Sequence, residues 1–110
     1  LYSTKELYDS VYQEIGIPIV HDQHHHLFCT GNICQEEAMI TAALTWGDIT
    51  PVIHYSESRP EEQNDPKIKP QAHSDYIYKK IETYGLDVDV MVEAKAKERA
   101  VQRYKEMWSV

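Results

Sequence analysis

The chain has 110 residues, 42% of them apolar and 26% charged, which suits one small globular domain. Its 18 acidic against 11 basic side chains give a formal net charge of −7, which excludes a broad basic surface for nucleic acid within these residues. No stretch approaches the roughly 18 consecutive apolar residues of a membrane span. The first residues do not form a signal peptide, and two cysteines are too few for a disulfide framework, so a reducing, intracellular setting is expected. The sequence opens on Leu1 rather than Met and reads as a fragment or processed product.

The elements follow in chain order. Ser3 and Glu6 have the spacing of a capping box, and Leu7, Val11 and Ile15 recur at intervals of four. Residues 4–15 are therefore expected to be a helix, stopped by Gly16. Residues 17–20 form a short apolar run that reads as a strand, with Pro18 near its start. A polar tract follows, containing His21, Asp22, His24, His25 and His26. Residues 35–46 read as a second helix, with Glu36 and Glu37 favouring its first turn. Its stripe is Ala38, Met39, Ala42, Ala43 and Trp46. "PVIHY" (51–55) is a second strand. Residues 56–72 are polar, contain three prolines and read as a long loop, a length that is often functional. Residues 74–84 carry Ile77, Ile81 and Tyr84 at helical spacing. "DVDVMVE" (87–93) alternates as a strand, and a last helix is expected over 95–108. Strands alternating with helices imply an α/β fold with a parallel sheet.

Each expected strand ends in potential ligands: Asp22 and His25 after the first, His54 in the second, Glu93 after the third. In parallel α/β architectures these ends share one face, where active sites lie. Two imidazoles and two carboxylates suit a divalent transition metal. Each residue also has an ordinary reading: a surface histidine, a helix-terminal carboxylate, or for His73 the cap of the helix over 74–84. Cys29 and Cys34 with His24 or His26 form a weaker alternative, a small zinc-binding interaction module.

"IPIVHDQHHH", "PVIHYSESR", "HSDYI" and "DVDVMVEAKAKE" together resemble successive blocks of the UV damage endonuclease family, over roughly residues 15–100. The resemblance implies the C-terminal portion, about three βα units, of a (β/α)8 TIM barrel, with residues 1–110 as one partial-barrel domain. It implies a DNA repair endonuclease that nicks the backbone 5′ to UV photoproducts and other lesions. Its cofactors would be divalent metal ions, Mn2+ first, with Zn2+ or Mg2+ as alternatives. Carried over block by block, the metal ligands are Asp22, His25, His54, His73 and Glu93. Asp22, His54 and Glu93 would carry the catalysis. Family members often have a lysine two residues before the strand-end histidine, where this chain has Val52. The implied partners are damaged double-stranded DNA and the N-terminal half of the barrel, with no membrane. The implied location is the cytoplasm, or the nucleus or an organelle in a eukaryote. A metal-dependent sugar isomerase or epimerase barrel would use a similar ligand set and is the competing reading.

Overall fold

The computed structural model describes residues 2–28 and 30–109. Residues 4–15 are helical (α1), in consecutive segments Thr4–Glu6, Leu7–Tyr12 and Gln13–Ile15, the middle one wound as a π-helix. The capping box forms as expected: the Glu6 N–H donates to Ser3 Oγ at 3.1 Å, and the Ser3 N–H donates to Glu6 Oε1 at 3.2 Å. Gly16 ends the helix with φ of 70°. Then come β1 (His21–Asp22), α2 (Gln23–Phe28), α3 (Gln35–Leu44), β2 (Val52–Tyr55), α4 (Arg59–Gln63), β3 (Asp89–Val92) and α5 (Glu98–Trp108). The strands form one sheet in the order β1-β2-β3. β1 and β2 are parallel, with His21 opposite Ile53 and Asp22 opposite His54. The Asp89 N–H donates to the Pro51 carbonyl and the Glu93 N–H to the Tyr55 carbonyl. Both partners advance together along the chain, so β3 also runs parallel to β2.

The chain divides into two compact units, one made of the residues up to His54 with Thr83–Met91, the other of Tyr55–Glu82 with the residues from Val92 on. In the first, Ile19, Ala38, Met39, Ala42 and Ile53 form the core. The α3 stripe is thus where its periodicity put it, and Cys34 caps that helix by accepting the Glu37 N–H at Sγ.

The expected strand over 17–20 does not form. The Ile19 N–H donates to Thr45 Oγ1 at 2.8 Å, and the Ile19 carbonyl accepts the Trp46 indole N–H at 2.8 Å. Pro18 has no N–H to offer. With the Ile19 ladder groups spent on Thr45 and Trp46, the segment stays outside the sheet, and pairing begins only at His21.

In the second unit the long loop contains α4, which starts after Ser58 with Pro60 in its first turn, a position that favours proline. The helix expected over 74–84 is absent. Its backbone donors are captured by side chains instead. The Asp75 and Tyr76 N–H groups donate to the Glu62 carboxylate, those of Tyr78 and Lys79 to Glu57, and that of Ile81 to the Tyr104 hydroxyl. Ile77 is nevertheless fully buried, with Tyr55 and Ala100 the other buried apolar residues of this unit.

Candidate metal centre

Strand pleating explains which side chains gather. Along β2, Ile53 and Tyr55 are buried while Val52 and His54 are half-buried on the other face. Burial, and then the Glu57 carboxylate that accepts its O–H at 2.8 Å, keep the Tyr55 phenol protonated far above its usual range. His54 is therefore the polar group that β2 turns to its half-buried face. Register places Asp22 directly opposite it. Asp22 is itself held: its Oδ1 accepts the His25 N–H at 3.0 Å, which fixes the carboxylate at the start of α2.

Glu93 follows β3, and its N–H is bound to the carbonyl of Tyr55, the residue next to His54. The ladder between β2 and β3 thus sets it beside the end of β2. Asp22, His54 and Glu93 each offer one ligand atom, and these atoms lie within 4.8 Å of one another. All three residues are half-buried. Two carboxylates and an imidazole at that spacing fit a divalent cation.

Of the five expected ligands, the structure brings together these three. His73 stands next to them, its Nδ1 4.0 Å from Glu93 Oε2, held by an antiparallel bridge to Ser58. His25 lies outside the group, with its Nε2 2.9 Å from the Tyr2 carbonyl oxygen. Val52 shares the His54 face and adds no ligand atom. The alternative cysteine site is half visible: Cys34 is exposed and serves as a helix cap, and Cys29 lies outside the described residues.

Sequence reasoning singled out His25 from the histidine tract and left His21 without a role, and the structure divides the tract by burial. His21, His24 and His26 are buried, and His25 is half-buried. Burial, and after it the neighbouring His26, lower the pKa of His21 to about 4 against the opposing pull of Asp22. Strand pairing carries the signal that could have found this, since alternation sends His21 and Asp22 to opposite faces.

The family model for the UV-endonuclease UvdE matches residues 1–109. The chain belongs to the UV-endonuclease UvdE family. It is 31% identical over 113 residues to a UV DNA damage endonuclease of Bacillus cereus strain B4264, covering 91% of this chain and 32% of that protein. It is 36% identical over 100 residues to a UV-damage endonuclease of Schizosaccharomyces pombe, covering 81% of this chain and 16% of that one. The crystal structure of SacUVDE matches with a TM-score of 0.75 and 26% identity, over 97% of this chain and 36% of that chain. The chain therefore spans about a third or less of the length of these relatives. Its mixed α/β architecture, with a parallel sheet, is that of part of a TIM barrel.

Proposed function

We propose that this chain supplies part of the metal centre of a DNA repair endonuclease that nicks the phosphodiester backbone on the 5′ side of UV photoproducts and related lesions. The convergence of Asp22, His54 and Glu93 carries the reading. Family membership supports the substrate class. A divalent cation in this group, Mn2+ first, supplies a Lewis acid for a phosphate oxygen and acidifies a water molecule. Asp22, His54 and Glu93 would hold it, with His73, beside Glu93, as a further donor, while His25 stays outside the group with its ring against the Tyr2 carbonyl.

The rest of the chemistry belongs to the chain's own side chains. Register and ladder hold the Asp22 and His54 donors side by side without any contribution from flexible loops. The His73 imidazole stands next to Glu93, its Nδ1 4.0 Å from Oε2. With a net charge of −7, these residues repel DNA on their own. Cation binding reverses the sign locally, and the remaining phosphate contacts come from other parts of the barrel. On this reading residues 1–110 are its last three βα units, working inside the cell wherever DNA is exposed to ultraviolet damage.

The test uses the intact protein that carries these residues, with Mn2+ and a supercoiled plasmid. Irradiated plasmid is relaxed and unirradiated plasmid is spared. Glu93→Gln lowers the nicking rate on the order of a hundredfold or more, since loss of even a supporting partner costs 10–100-fold. An intact, metal-loaded protein that leaves irradiated plasmid uncut would falsify the proposal.

A further inference from the structure

Among the described residues, the buried side-chain atoms between residues 21 and 26 that lack a hydrogen-bond partner include His21 Nδ1 and Nε2, Gln23 Oε1 and His26 Nδ1. Buried polar atoms are almost always paired, and a cluster of exceptions in one place needs a cause. His21 is fully buried and His26 is 5% exposed. Their ring centroids are 5.8 Å apart, inclined at 50°.

The tautomer of His26 can be read from its surroundings. The ring bonds to the backbone of Ile33, and Nδ1 has no partner, so Nε2–H is the donor and Nδ1 keeps its lone pair. That is how ligating imidazoles are oriented, with the far N–H held by a carbonyl. Gln23 and His26 are three residues apart on α2, so they share a face of that helix. Both present acceptor atoms, and two acceptors on one face call for something electropositive between them. Two imidazoles bound to one zinc at roughly 2.0–2.1 Å place their ring centres about 5–6 Å apart. The observed separation falls in that range.

We propose that His21, Gln23 and His26 form a second cation site, for a borderline divalent ion such as zinc, on the face of β1 opposite Asp22. Its donor set of two neutral imidazoles and an amide oxygen differs from the carboxylate-rich group at Asp22, His54 and Glu93, and so does its preference. Imidazoles select zinc, whereas carboxylates and water suit Mn2+. The nearby Asp22 carboxylate, whose field is felt at His21, offsets part of the charge of the ion.

The intact protein is stripped with chelator, loaded with one equivalent of Zn2+, and crystallised for anomalous diffraction at the zinc edge. An anomalous peak between the His21 and His26 rings is expected; density without anomalous signal there, as an ordered water would give, overturns the site. In solution, Glu93→Gln retains the tight zinc, while His26→Gln in that background binds it at least tenfold more weakly. Gln23→Ala, which leaves both buried rings in place, gives a second, milder reading of the same loss should His26→Gln fail to fold. Zinc affinity unchanged in both the His26 and Gln23 variants would refute the assignment.

Discussion

Glu62 lies in α4, and its two oxygens accept from the Asp75 and Tyr76 N–H groups, the Tyr78 hydroxyl at 2.7 Å and the Gln63 side-chain amide. Burial pushes its pKa upward, but these donors together outweigh it and hold the carboxyl below its usual range. A folded pKa below the unfolded one means that stability is fully present above the ordinary glutamate pKa and drains away as pH falls through the lowered folded value. Glu62→Gln should cost about 1–2 kcal/mol at pH 7, given that hydrogen bonds to charged groups exceed neutral ones. That difference should shrink toward zero near pH 3. Urea unfolding at pH 7, 5 and 3 measures it, and a gap independent of pH would show that the charge on Glu62 is not what secures the segment. The same residue marks a limit of sequence reading. Asp22, His54 and Glu93 were legible because each stands at the end of an apolar run. The partners of Glu62 other than Gln63 lie 13 to 16 residues away, in a stretch whose own spacing spelled a helix. The stacking of the Arg103 guanidinium over Tyr76 at 4.7 Å and Tyr78 at 5.3 Å was equally out of reach, because it joins a helix face to that irregular stretch.

At the scale of elements, α1, α3, α5, β2 and β3 follow their periodicity and caps to within a few residues. The two failures have one physical cause. Residues 17–20 and 74–84 have the right side-chain pattern, but their backbone donors and acceptors are taken by Thr45, Trp46, Glu57, Glu62 and Tyr104. Pattern predicts which face is buried, as Ile19 and Ile77 show, but it does not say where the backbone hydrogen bonds go. The turn before α3 offers a direct test of tight local packing. Gly31 has φ of +61°, and a Cβ there would meet Ser3 Oγ and, at 2.8 Å, Ser3 Cβ. Ser3 is fully buried and holds the capping box, so it has little room to yield. Gly47 has nearly the same φ of +60° with nothing within 4 Å of its would-be Cβ. Gly47→Ala should therefore cost about 1 kcal/mol for the backbone alone. Gly31→Ala should cost about 2–4 kcal/mol, because overpacking adds to the same strain. Denaturant unfolding of the pair separates the two contributions, and equal losses would mean that Ser3 moves aside freely.

For the molecule as a whole, the relevant surface is the apolar one it leaves in water. Ile15, Ile17, Leu44 and Ile49 are 55–71% exposed, and Met91 of β3 is 54% exposed. β1 and β3 each end the sheet with one side unpaired, and open edges of this kind recruit other chains. In a closed barrel neither edge exists, because strands pair all the way round. The chain matches 36% of SacUVDE, and in a full barrel of that fold further strands and helices would cover these surfaces. The 110-residue chain by itself should consequently associate at micromolar concentration, and Ile49→Lys with Met91→Lys should shift it toward monomer by placing charge on the exposed patch and the sheet edge. Sedimentation equilibrium over a tenfold concentration range measures this. A chain that stays monomeric throughout would mean that its exposed residues form no continuous adhesive surface.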